Sequence, residues 1–329
     1  ANYWQGFYDF SDNPKSENPP QGYVFSCNHQ PDTFHGNFHA GYYLTDERAR
    51  RLDALLNSQP TFNREDLERI ALDVTNPHTV VIAQQLLSLI PANAINRTNN
   101  TTAVAGLLRN WQGTHSMDDR APAIYYMFLY KSMWKMMGDE MGAKDFDGFL
   151  KTHTIKYSVL PLLKNDTTKW WDDITTPSKE TREQIIAAAF EETVNDLTTQ
   201  FSSDPANWSW GKFHVLEFGH PIGKMKPMNY FFNVGPIPTA GGMETINNQA
   251  FLLTDKFPVT VLYGPALRRT IDFSRPLNGY SILPSGQSGN PMSRHYDDQA
   301  LRYADGKSRR EYMDEQEIRS VCKDVLIFR

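Results

Sequence analysis

Between Thr45 and Gln200 apolar residues recur at three- and four-residue intervals, the spacing of a single helix face. Thr45 reads as an N-cap, Asp46 and Glu47 suit the positive start of a helix, and Leu52, Leu55 and Leu56 share its buried side. Asn63 caps a second helix, with Phe62 and Leu67 spaced as a hydrophobic staple and Ile70, Ala71 and Val74 extending the stripe. Asn76-Pro77 opens a third, which runs through Leu89 and Ile90 until Pro91 stops it. Further helices are predicted over about 103–111, 122–137 and 177–199, with a turn at Trp170-Trp171-Asp172-Asp173. The last places Ile185, Ile186, Ala189, Phe190, Val194 and Leu197 on one narrow arc.

On either side the period changes. Residues 11–22 are loop by composition, and 23–27 alternate as a short strand with Asn28 at its end. After Trp208 the period shortens to two, which predicts strands over 213–218, 259–263, 269–273, 280–283 and 325–328. Helix and strand are segregated along the chain, the pattern of an α+β fold. Three segments follow: strand and loop over 1–44, a mainly helical stretch over 45–205, and a β-rich stretch over 206–329.

Composition narrows the function classes. A chain of 329 residues with 40% apolar content can bury a substantial core. Its 33 Lys and Arg against 38 Asp and Glu leave a net charge of −5, without the basic footprint of a nucleic-acid or anionic-membrane partner. No apolar run approaches the roughly 20 residues that span a bilayer. Cys27 and Cys322 are far apart and lack a C-x-x-C spacing. They read as two buried free thiols, with a single disulfide the alternative.

Three constellations could carry chemistry. Residues 283–299 (Leu-Pro-Ser-Gly-Gln-Ser-Gly-Asn-Pro-Met-Ser-Arg-His-Tyr-Asp-Asp-Gln) are dense in turn formers. Within them Gly286-Gln287-Ser288-Gly289 invites a nucleophile-elbow reading, with His295 and Asp297 or Asp298 as partners. Asn290 breaks that pattern, and hydrogen bonding of His295, Tyr296 and Asp298 across the loop is the structural alternative. Cys27, His29, Asp32, His35 and His39 are numerous enough to suggest zinc, although Gly36 and Gly41 weaken any helix that would align His35 with His39. Asn28, finally, is a neutral donor at a predicted strand end, where it either closes a turn or meets developing negative charge on a substrate.

The 283–299 run, the stretch Gly22-Tyr23-Val24-Phe25-Ser26-Cys27-Asn28-His29, Trp111-Gln112-Gly113, Ala121-Pro122-Ala123-Ile124-Tyr125, Trp210-Gly211-Lys212-Phe213-His214 and Asn233-Val234-Gly235-Pro236 occur in a telling order. Together they resemble the penicillin acylase family of N-terminal-nucleophile amide hydrolases, over essentially the whole chain. The resemblance implies part of an αββα sandwich with a large helical segment, and the C-terminal part of the family's large chain. It implies that Asn28 donates its amide to the oxyanion of the tetrahedral intermediate, with His29 where the family has a second Asn. Arg48 matches an arginine that holds this Asn, whereas read locally it is one of three solvated charges with Arg50 and Arg51.

The family nucleophile is an N-terminal Ser whose own α-amino group is the base. This chain starts Ala1-Asn2-Tyr3-Trp4, so the nucleophile is expected on polypeptide outside it, and the chain alone is expected to be inactive. The implied partners are the remainder of the acylase and a small N-acyl amide, penicillin-like or an acyl-homoserine lactone, with neither nucleic acid nor membrane. Calcium is the implied metal, with ligands mostly outside this chain and one family position falling near Asn37. The implied location is periplasmic or secreted. The alternative from another class is a non-catalytic binding or scaffold module derived from the family.

Overall fold

The computed structural model describes residues 6–328, so the start Ala1-Asn2-Tyr3-Trp4 lies outside the described residues. Helices dominate the middle of the chain: α1 (Glu47–Leu56), α2 (Arg64–Ala71), α3 (Pro77–Ser88), α4 (Ala92–Ile95), α5 (Asn99–Asn110), α6 (Ala121–Leu150), α7 (Thr154–Lys164) and α8 (Arg182–Gln200). Short elements follow: α9 (Trp210–Phe213), β1 (His214–Phe218), α10 (Asn229–Phe232), β2 (Val234–Pro238), β3 (Val259–Thr260), β4 (Arg268–Thr270), β5 (Tyr280–Ile282), α11 (Ala300–Ala304), β6 (Arg309–Arg310) and α12 (Glu315–Val321).

Local chemistry sets most of the helix starts. Asn63 accepts from the Asp66 N–H while the Asp66 side chain accepts from the Asn63 N–H, a complete capping box. Asn76 accepts from the His78 N–H ahead of Pro77, whose missing N–H costs nothing at the first helical position. Thr45 falls one residue short of the cap: Asp46 holds that position without a side-chain bond, and the Thr45 hydroxyl has no partner among the described residues. Helix α5 begins earlier than predicted, at a Thr98–Thr101 box, because its first turn is polar and carries no apolar period.

Helix α6 is the axis of the core. Nearly every residue from Ala121 to Met133 is buried, and the helix packs along α8 and against α5 and α7. Each large apolar side chain sealed there contributes roughly 1.5–3 kcal/mol relative to exposure. The helix outruns the predicted end at residue 137 through a kink at Gly142, where φ is 68° and ψ is 165°. Helix α7 falls within the stretch read as mainly helical but had no predicted bounds of its own; Pro161 lies inside it and removes a helical donor.

Two small sheets follow. The first has the order β2-β1-β3, with β1 antiparallel to β2 and parallel to β3; the second is the antiparallel β4-β5-β6. Strand β2, which the alternation did not predict, contains Pro236 and Pro238 and is tolerated because it lies at a sheet edge. The other strands in this half are shorter than predicted, at His214–Phe218, Val259–Thr260, Arg268–Thr270 and Tyr280–Ile282.

Two predicted strands do not form. Residues 23–27 do alternate, with Val24 and Ser26 exposed and Cys27 buried, but no ladder partner meets them among the described residues. Residues 325–328 are exposed on every side chain and pair with nothing in the described sheets. Cys27 and Cys322 are free thiols; Cys27 is buried, whereas Cys322 ends α12 facing solvent, which corrects the expectation of two buried thiols. Among the described residues no helix is long and apolar enough to cross a membrane.

Candidate active site

Asn28 sits in the left-handed region at φ 61°, a conformation that Asn tolerates better than most residues. Its carbonyl accepts from the Leu44 N–H at 2.9 Å, which ties the turn to the start of the helical region. The side chain is exposed. Arg48, on the first turn of α1, donates through one terminal nitrogen to Cys27 O at 3.0 Å and to Asn28 Oδ1 at 3.1 Å. A guanidinium only donates, so the amide atom facing it must be the oxygen. Asn28 Nδ2 therefore points elsewhere, and among the described residues no acceptor meets it.

Arg48 is itself held. Its Nε donates to Glu244 Oε2 at 3.2 Å, with the Arg and Glu side chains only 12% and 7% exposed. Lys156, on α7, pairs with the other carboxylate oxygen. A carboxylate this enclosed is tolerable because two cations share it. Glu244 also has a positive φ, 56°, so the surrounding segment must force it into place.

That segment is fastened to the aromatic core. Trp210 Nε1 donates to Gly241 O at 2.8 Å, the Gly241 N–H donates to His115 O at 2.9 Å, and the Asn247 N–H donates to Asp73 O at 2.9 Å. His115 and His214 brace the same layer. His115 Nδ1 lies 2.9 Å from Gly113 O and its Nε2 lies 3.0 Å from the Tyr126 hydroxyl, while the two nitrogens of His214 face Thr239 O and Gln249 O. Burial pushes both imidazoles down to about 4, against the carbonyl contacts that favour their cations.

The structure thus brings the two sequence-derived site residues, Asn28 and Arg48, into hydrogen-bond contact. Sequence reasoning missed Glu244 and Lys156. The first lies 196 positions from Arg48 in a Gly-Gly-Met-Glu run with no recognisable pattern, and the second lies on α7, which had no predicted bounds of its own.

The other constellations fare differently. His295 Nδ1 pairs with Asp298 at 3.0 Å, but its Nε2 faces Arg294 Nε and makes no bond to Ser288, whose hydroxyl instead accepts from the Asn290 N–H. The relay needed for a Ser288 nucleophile is not assembled. The loop is closed by Gly286 and Ser288 donating to Tyr296 O and His295 O. A side chain at Gly286 would bring its Cβ within 1.9 Å of the His295 carbonyl, which explains the glycine.

The suggested zinc ligands also separate. His35 faces Asp12, His39 lies beside Tyr8, and His29 stacks on Phe25. Among the described residues no three His, Cys, Asp or Glu side chains converge on a metal position. The same holds around Asn37, the position implied for a calcium ligand: among the described residues no three such side chains converge there.

The chain belongs to the penicillin amidase family, whose sequence model matches residues 1–320. Among its relatives, the acyl-homoserine lactone acylase QuiP of Pseudomonas aeruginosa is 27% identical over 327 residues, covering 90% of this chain and 38% of the relative. The penicillin acylase 2 proenzyme of Pseudomonas sp. strain SE83 is 22% identical over 313 residues, covering 92% and 38%. The chain thus spans 38% of the length of these curated relatives. A thermostable penicillin G acylase from Alcaligenes faecalis shares the fold with a TM-score of 0.58 at 16% identity, over 99% of this chain and 60% of that one. The α+β architecture is accordingly the one this chain shares with that penicillin G acylase.

Proposed function

We propose that this chain forms part of an acylase that hydrolyses the amide bond of N-acyl substrates such as acyl-homoserine lactones or penicillins, with Asn28 donating to the oxyanion of the tetrahedral intermediate. One observation carries the reading: Arg48 occupies Asn28 Oδ1 and leaves the exposed Nδ2 without an acceptor among the described residues. A donor fixed before reaction meets developing charge without reorganising, which is the main source of such stabilisation. Arg48 is the positioning residue, held by Glu244 and Lys156. The attacking hydroxyl is that of an N-terminal Ser on polypeptide outside these 329 residues, a reading supported by the share of its relatives that the chain spans. Calcium in the assembled enzyme is held mainly by residues outside this chain, and the enzyme acts in the periplasm or outside the cell.

The test is Asn28→Ala in the assembled acylase, with an acyl-homoserine lactone and penicillin G as substrates. The expected result is a loss of about 100- to 1000-fold in kcat with KM little changed. A variant retaining a third or more of the activity overturns the role of Asn28. An assembled protein that binds these amides without cleaving them favours the non-catalytic module.

A further inference from the structure

The extended segment 23–27 has no ladder partner among the described residues, yet both of its ends are fastened to one helix. At one end Arg48, on the first turn of α1, binds Cys27 O and Asn28 Oδ1. At the other the Tyr23 hydroxyl donates to Asp53 Oδ1 at 2.7 Å and accepts from Asn57 Nδ2 at 2.6 Å. Asp53 lies on the second turn of α1, and Asn57 is its C-cap, whose Nδ2 also donates to Asp53 O at 2.9 Å. The segment therefore runs antiparallel to α1. Its span from Tyr23 to Cys27, about 13 Å at the rise of a strand, is close to the roughly 14 Å from Arg48 to Asn57 at the rise of a helix. The bond from hydroxyl to carboxylate is charge-assisted, the stronger kind. The same bond to Asp53 holds the Tyr23 phenol above its ordinary value, so it stays a donor.

A line of rings carries this attachment to the turn. Tyr23 and Phe25 lie 6.1 Å apart between centroids and Phe25 stacks on His29 at 5.9 Å, so the row ends on the residue next to Asn28. Arg48 reaches Cys27 O and Asn28 Oδ1 through a single terminal nitrogen, which pins the amide oxygen but not the angle at which the segment approaches it. We propose that Tyr23, through Asp53 and Asn57, is a second positioning residue for Asn28, fixing that angle and with it the direction of Nδ2. The inference rests on the oxyanion role of Asn28 and extends it. A misplacement of about 1 Å at a reacting centre can cost on the order of 100-fold in rate, so even partial loosening of the segment is measurable.

The experiment places Tyr23→Phe, which keeps the row of rings and removes only the hydroxyl, in the assembled acylase. With an acyl-homoserine lactone as substrate, kcat is expected to fall by about threefold or more with KM little changed. The same substitution added to Asn28→Ala is expected to cost nothing further, because no donor is left to position. Asp53→Ala is expected to match Tyr23→Phe, and the two together to lose no more than either alone. A Tyr23→Phe loss below about threefold, beside a loss of about 100-fold or more in Asn28→Ala, overturns the role of Tyr23 and leaves the oxyanion reading standing. Equal losses from Tyr23→Phe with and without Asn28 also overturn it, since the hydroxyl would then serve the fold alone, and so do additive losses from Tyr23→Phe and Asp53→Ala. Asn28→Ala retaining a third or more of the activity sinks the oxyanion reading and this inference with it.

Discussion

Trp210 and Val24 both belong to well-patterned segments, yet they end in opposite surroundings. Trp210 is sealed between Tyr126, His214 and Phe251, with its indole N–H spent on Gly241 O, whereas Val24 is 63% exposed on an extended stretch without a ladder partner among the described residues. The contrast extends to whole regions. Residues around α3, α5, α6 and α8 share one large cluster of buried side chains, while Phe7, Tyr8 and Phe10 at one end and 325–328 at the other lie open. Patterning becomes regular structure only where a second surface covers it. Asn28 stands on the boundary between the two regimes, carried by the open segment and aimed by groups rooted in the closed one.

The sharpest way to break this contrast is Trp210→Ala, which removes a fully buried indole and its hydrogen bond together. Denaturant unfolding should show a loss of about 4 kcal/mol. A loss below about 1 kcal/mol would mean that the aromatic layer does not anchor residues 241–249. Acid should strike the same layer next. His115 and His214 have folded values depressed to about 4 from an ordinary 6.5, so the unfolded chain binds more protons between those limits. Stability is therefore intact above about pH 6.5 and falls as pH drops toward 4, by on the order of 3 kcal/mol for each imidazole. Unfolding free energies measured from pH 7.5 to 4.5 check this, and a flat profile contradicts it. Val24→Ser on the open segment marks the small end of the scale: a change within about 0.5 kcal/mol is expected in the same unfolding assay.

Much of the helical architecture is legible from single residues. Asn63, Asn76 and Pro77 mark their helix starts by chemistry that works regardless of context, and the apolar arc of α8 needs no tertiary information. What stayed hidden depended on neighbours. Pro161 argues against a helix until α7 is packed on α3 and α6, and Gly142 argues for a stop where the chain merely kinks. Pro236 and Pro238 look wrong for a strand until the sheet order makes theirs an edge. Residues 325–328 look right for a strand and have no described neighbour to pair with. The site divides in the same way. The contact of Arg48 with Asn28 lies within a span short enough for resemblance to suggest it, while the Glu244 carboxylate that fixes Arg48 is a tertiary fact with no local trace.

The salt bridge from Arg48 to Glu244 joins positions 196 apart. At roughly 5–20 residues per second, a ribosome delivers the second partner some 10 to 40 s after the first. Until then the guanidinium has no anchor, and the amide at position 28 has no fixed heading. The fixed geometry of this turn is thus a late event in the life of the nascent chain, and a polypeptide interrupted anywhere before residue 244 would carry the Asn28 amide without the carboxylate that holds Arg48.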